Sequence, residues 1–69
     1  MKLFRHMSER EIEAARGRRA TLTVFRNGMP EVRTGALGKV TRSTVFVGAF
    51  CYGRREVEDS LRIEEAVDG

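Results

Sequence analysis

Eleven arginines and two lysines are the residues of this chain best suited to chemistry, and the chemistry they favour is binding. A guanidinium group makes paired hydrogen bonds to phosphate or carboxylate oxygens and also stacks on bases. Several arginines lie near strand ends, near turns or in the connector after a helix, where they would reach a partner. The predicted contact set is Arg18, Arg19, Arg26, Arg42, Arg54 and Arg55.

The charge is distributed unevenly along the chain. Residues 1–55 carry 12 Lys/Arg and 4 Asp/Glu, a balance of +8, whereas residues 56–69 carry one Arg and six acids, a balance of −5. A basic body with an acidic end suits complementary surfaces on a partner. The simpler interpretation is that the charge only keeps the chain in solution.

Catalysis is not expected from these residues. The only histidine, His6, lies in residues 1–7, which are interpreted as a flexible leader. The only cysteine, Cys51, lies in an apolar run where it is predicted to be buried, with no base beside it in the sequence. There is no Cys/His spacing for zinc and no glycine-rich phosphate loop, so the sequence predicts neither an enzyme nor a cofactor.

The sequence also favours a compartment. One cysteine cannot form an internal disulfide, which fits a reducing environment. No segment has the pattern of a signal peptide or the length of a membrane span. The expectation is therefore a cytoplasmic protein that does not contact a membrane.

Three aromatic side chains could add to a binding surface. Phe25, Phe46 and Tyr52 would stack on bases if they were exposed. Aromatic residues at such spacing more often belong to a core, and this is the default expectation.

The first element that must position these side chains is a short helix. Ser8 and Glu11 have the spacing of a capping box, in which each side chain bonds the backbone amide of the other residue. Gly17 is a natural stop. A helix is therefore predicted over residues 8–17, and it is too short to persist unless it docks on a sheet.

The remaining elements are predicted to be strands. Apolar residues alternate from Leu22, and Asn27-Gly28 predicts a turn. Gly35 and Gly38 interrupt the second strand and predict a bulge or sharp bend. Three further strands are predicted over residues 43–52, over residues 54–58 and from Leu61 to Val67, the last after a tight turn at Asp59-Ser60.

Together these elements predict a single α+β domain over residues 1–69. A short N-terminal helix packs on a five-stranded, strongly bent antiparallel barrel of the SH3-like type, which spans residues 20–67. A chain of 69 residues has room for only a modest core, so association with itself or with a partner is expected.

The order of these elements resembles the Sm-like family, whose fold is a short helix followed by five bent strands. The residues that carry the resemblance are Leu22, Val24, Asn27-Gly28, Gly35-Ala36-Leu37, Val40, Val45, Val47 and Leu61-Arg62-Ile63. The turn Glu58-Asp59-Ser60 is acidic, and no Lys-His pair matches the uridine pocket of the bacterial riboregulator Hfq. No site residue is therefore transferred from those ring-forming RNA binders.

A second resemblance concerns the basic segments. Arg18-Arg19 and Arg54-Arg55-Glu56-Val57, with the final strand, are similar to the Rho-binding antiterminator (Rof) proteins. Those are Sm-like domains that inhibit transcription termination, so this resemblance implies a protein partner.

The functional prediction is a non-catalytic binding module. It would be a small regulator that binds RNA or the transcription machinery through a basic surface. Two alternatives remain open. One is a protein-interaction module, Rof-like or another inhibitor of a transcription factor or polymerase, without nucleic-acid contact. The other is a self-assembling structural subunit, which would be a homo-oligomer.

Overall fold

The computed structural model describes residues 1–65, which form one open antiparallel sheet with short helices. The elements are β1 (Lys2–Leu3), a 3-10 helix (Phe4–His6), α1 (Glu9–Ala14), β2 (Arg19–Arg26), β3 (Met29–Val40), β4 (Thr44–Val47), β5 (Phe50–Gly53), α2 (Arg54–Val57) and β6 (Arg62–Ile63). The strand order is β1-β6-β2-β3-β4-β5. The α+β class is confirmed, but the sheet has six strands and is not closed into the predicted five-stranded barrel. The predicted end of the last strand at Val67 lies outside the described residues.

Helix α1 begins at the predicted capping box. The Ser8 hydroxyl accepts a hydrogen bond from the Glu11 amide at 3.1 Å, and the Glu11 carboxylate accepts one from the Ser8 amide at 3.1 Å. The helix is shorter than predicted, because the chain leaves helical geometry before Gly17, which has φ of 93°. Ile12 and Ala15 are buried against the sheet and dock the helix.

The β2–β3 hairpin closes at the predicted turn. Asn27 and Gly28 both have positive φ, at 53° and 78°, which is the geometry of a two-residue turn that matches the twist of the strands. Arg26 pairs with Met29, and the pairing continues without interruption to Arg19 and Ala36. This hairpin is the longest paired segment of the fold.

Strand β3 pairs with two partners in succession. Its first part pairs with β2, and Leu37 and Val40 then pair with β4, with a shift of register between them. The bulge predicted from the glycines is confirmed. At Gly35 the β4–β5 turn approaches so closely that an added Cβ would lie 2.8 Å from the Cα and N atoms of Gly48.

The apolar run over residues 43–52 is two strands and not the predicted single strand. Gly48, with φ of 59°, turns the chain so that Val47 pairs with Phe50. The turn changes which side chains share a face, and Cys51 is exposed instead of buried. The prediction for Cys51 was therefore wrong.

The segment after β5 also differs from the prediction. Residues 54–58 were expected to form a strand, but Arg54–Val57 is a helical turn in which the Glu58 amide donates to the Arg54 carbonyl at 3.0 Å. Arg and Glu favour helical geometry, and the turn buries Val57 completely. The predicted turn at residues 59–60 then leads into β6.

The core includes residues near the start of the chain that the sequence suggested could be a leader. Strand β1 pairs with β6, and the Phe4 amide donates to the Leu61 carbonyl at 2.9 Å. Phe4 is 2% exposed and is the only buried aromatic side chain among residues 1–65. The other core residues are Ile12, Ala15, Ala20, Leu22, Leu37, Val45, Val47, Val57, Leu61 and Ile63.

Gly35→Ala is expected to lower the free energy of unfolding by about 1–3 kcal/mol, because the new methyl group meets backbone that cannot move aside. Gly53→Ala is the matched control, since its Cβ would meet only the Glu56 side chain at 3.6 Å. Urea titrations of the two variants measure the difference. Equal stability of the two variants would show that the contact at Gly35 is not tight.

Glu11 should make the fold sensitive to acid. The hydrogen bond from Lys2, followed by the bond from the Ser8 amide, lowers the pKa of Glu11 from 4.5 to about 2. A carboxyl group whose pKa is lower in the folded chain than in the unfolded chain stabilises the fold above pH 4.5. This stabilisation is lost as the pH falls toward 2. As the pH is lowered across this range, the melting temperature should therefore fall less for Glu11→Gln than for the wild type. Glu13→Gln, on the same helix, should retain the full decline, and an identical decline in all three proteins would contradict this assignment.

Candidate nucleic-acid interface

In β1, β6, β2 and the first part of β3, alternate side chains lie on the side of the sheet away from the core. Along β2, Ala20 and Leu22 are buried, whereas Thr21 and Thr23 are half-buried. We call the surface on the opposite side from Ala20 and Leu22 the outer face. Its residues, by strand register, are Leu3 of β1, Arg62 of β6, Arg19, Thr21, Thr23 and Phe25 of β2, and Pro30, Val32, Thr34 and Ala36 of β3.

Two apolar side chains of the outer face are unusually exposed. Phe25 exposes 74% of its surface and Val32 exposes 68%. Beyond the bend, Phe46 is 38% exposed and Phe50 is 56% exposed. The default expectation that these aromatic residues belong to the core was therefore wrong for Phe25 and Phe46. Their rings are available for stacking on a planar ligand.

Basic side chains lie at the other end of the same face. Arg19 begins β2, and Arg62 pairs with Thr21 on the neighbouring strand. Both arginines are exposed, and within residues 1–65 neither makes an ion pair. Between them and Phe25 lie threonine hydroxyls, of which those of Thr21 and Thr34 are 3.3 Å apart. The face can thus offer charge, hydroxyl groups and an aromatic ring in one row.

Carboxylates are absent from the ten residues of the outer face. Three lie beside it: the Glu64 amide donates to the Arg19 carbonyl at 2.8 Å, and Glu56 and Asp59 line one groove with Thr23 and Phe25. Of these, Asp59 forms an ion pair with Arg5 at 2.7 Å. A polyanion on the outer face would therefore meet these carboxylates at the edge of the face.

The structure brings the six predicted arginines together only in part, because Arg42 and Arg54 line one groove with Glu9. Arg18 is half-buried in a groove of about 410 Å³ whose acidic lining includes Glu11 and Glu64. Arg26 is exposed at the tip of the β2–β3 hairpin. Arg42 is exposed in the β3–β4 loop, and Arg55 is exposed in α2. Of the six, only Arg19 belongs to the outer face.

Arg54 is engaged with other parts of the domain. Its guanidinium donates to the Thr41 carbonyl at 2.8 Å and to the Glu9 carboxylate at 2.6 Å. The same group lies 5.0 Å from the centre of the Phe4 ring, within the range of a cation–π contact. Arg54 therefore ties α1, the β3–β4 loop and the 3-10 helix together, and only 20% of its side chain is exposed.

Sequence reasoning missed Arg62 as a site residue. Arg62 lies in residues 56–69, which contain six acidic residues and only this arginine, so the segment was not considered as a binding surface. The signal that could have revealed it is the alternation of Leu61, Arg62 and Ile63, which places one charged side chain opposite two buried ones.

Comparison of the sequence with protein-family models, with curated proteins and with solved structures gives no match. Among residues 1–65 there is no helix long and apolar enough to cross a membrane. The same residues contain no group of three or more His, Cys, Asp or Glu side chains arranged to hold a metal ion.

Arg54→Ala is expected to lower the free energy of unfolding by about 1.5–3 kcal/mol, because it removes charged hydrogen bonds from a mostly buried group. The neighbouring Arg55→Ala, an exposed residue of the same helical turn, should change stability by less than about 0.5 kcal/mol. Thermal melts of the two variants make the comparison. A stable Arg54→Ala protein would return Arg54 to the set of candidate ligand contacts.

Proposed function

We propose that this chain is a non-catalytic module that binds single-stranded RNA along the outer face. The observation that carries the proposal is the exposed Phe25 ring on the same strand face as Arg19 and Arg62. Stacking platforms beside basic groups are the usual design of surfaces that bind single strands. The role we propose for it is that of a small regulator of transcription.

Each part of the face has a separate task in this proposal. Arg19 and Arg62 bind phosphate oxygens, and Phe25 stacks on a base. Arg19 and Phe25 are six residues apart on β2, or about 20 Å at the rise of an extended strand. The hydroxyl groups of Thr21 and Thr34 lie between them and can bond sugar or base edges. Single strands fit better than a duplex, because their bases are free to stack.

A protein of the transcription apparatus is the second candidate partner. The observation that favours it is apolar exposure near the hairpin tip, where Met29 and Val32 accompany Phe25. The Sm-like and Rof-like relationships stay predictions. They rest on the sequence pattern of a short helix followed by bent strands and on the basic segments. The exposed thiol of Cys51 supports a reducing compartment, and we propose the cytoplasm.

Phe25→Ala is expected to weaken binding of a labelled single-stranded RNA by about 1–3 kcal/mol, since one stacked base is lost. The slope of log K against log salt is negative. Arg19→Gln and Arg62→Gln should each make it less steep by about 0.7, because each removes one phosphate contact on a single strand. Fluorescence anisotropy over a salt series measures both effects. The control is Arg55→Gln, an exposed arginine away from the outer face.

Two results would reject RNA binding on this face. One is wild-type binding that does not change with salt. The other is a loss of affinity in Arg55→Gln that equals the loss in Arg19→Gln. Retention of a protein partner after nuclease treatment, without affinity for RNA, would support the second candidate.

A further inference from the structure

The β2–β3 hairpin extends beyond the rest of the sheet and leaves a strand edge open. On the β2 side, the Ser60 hydroxyl accepts from the Thr23 amide and donates to the Thr23 carbonyl, both at 3.1 Å, so that edge is capped there. On the β3 side, β4 pairs only from Leu37 onward. Within the described part of the chain, nothing pairs with this side of β3 from Pro30 to Thr34.

The backbone groups along this edge point outward. The two-residue turn makes Arg26 and Met29 a hydrogen-bonded pair, so alternate residues of β3 direct their groups away from β2. The Ala36 carbonyl shows this direction, because it accepts from the Gly48 amide at 2.9 Å on the β4 side. By the same alternation, the amides of Val32 and Thr34 and the carbonyl of Pro30 face solvent and could pair with another strand.

The side chains of this segment are complementary to themselves. If two copies pair antiparallel about Val32, Glu31 of each faces Arg33 of the other. Glu31 and Arg33 already bond within one chain at 2.6 Å and are both half-buried, so pairing would join two ion pairs into a ring of four alternating charges. Pro30 has no backbone N–H, but its carbonyl can accept a hydrogen bond from the Thr34 amide of the other copy.

We propose that the occupant of this edge is a second copy of the chain, which forms a two-fold dimer through residues 30–34. The open segment is limited by the hairpin turn at one end and by the Gly35–Gly48 contact at the other, so an antiparallel copy fits it end to end. The strands then form one continuous sheet. Val32, 68% exposed in the single chain, lies on the axis beside its equivalent.

The arrangement explains why an edge with exposed apolar residues carries one acid and one base at alternate positions. Opposite charges directly across an antiparallel pair stabilise the pairing, and like charges destabilise it. A two-fold axis perpendicular to the sheet also turns both outer faces to the same side. Dimerisation therefore leaves Phe25 and Arg19 of each copy free.

The test is a charge reversal monitored by analytical ultracentrifugation over a concentration series. The wild type should sediment at twice the 7.8 kDa mass of one chain at high concentration. Glu31→Arg and Arg33→Glu should each raise the dimer dissociation constant by about tenfold or more, because like charges then meet across the axis. An equimolar mixture of the two variants should form a heterodimer, and the double variant E31R/R33E should form a homodimer again.

Val32→Pro is the second probe, since it removes one outward amide from each copy and leaves the β2–β3 hydrogen bonds in place. It should give a folded monomer, as judged by circular dichroism. A wild type that stays monomeric at every concentration would overturn the proposal. So would a wild-type dimer that neither single charge reversal weakens, or single variants that do not recombine when they are mixed.

Discussion

The contact between Gly35 and Gly48 is the constraint on which this fold depends. A side chain at position 35 would collide with the backbone of the β4–β5 turn, so the strand can bend here only because it carries none. The bend allows one strand, β3, to pair with β2 over its first part and with β4 over its last. Both halves of the sheet then face a single core that also receives Phe4 and Ile12.

The same bend determines what remains exposed. Once β3 turns away to pair with β4, its first half has no neighbouring strand on that side among residues 1–65, and the hairpin extends beyond the core. The core of a chain this short is small, and Phe4 is the only aromatic residue that it holds among the described residues. Phe25 and Phe50 therefore stay in contact with solvent. This placement costs hydrophobic stabilisation, and binding is the physical explanation we favour for it.

The sequence predicted the elements that local signals specify. The capping box of α1, the Asn27-Gly28 turn and the bulge near Gly38 each depend on residues close together in the chain, and each is confirmed. Elements that depend on distant contacts were missed. Strand β1 has two residues and exists because β6 pairs with it. The turn at Gly48 lacks a strong sequence signal, and the apolar run around it imitates one buried strand.

The candidate site shows the same division. The excess of arginine was visible in the composition, and the contact set predicted from the sequence includes Arg19, which the structure places on the outer face. It could not show that Arg54 bonds Glu9, 45 positions away, or that Arg62 shares a face with Arg19. Tertiary packing determines which arginines are bonded to other parts of the fold. Composition alone does not show this.

The most direct measurement of the central claim is an NMR titration of the aromatic rings with a single-stranded RNA. The account predicts that the Phe25 ring resonances move as a base stacks on them, while those of the buried Phe4 ring stay in place. Resonances of Phe25 that do not move at saturation, or shifts confined to residues around Arg42 and Arg55, would contradict it.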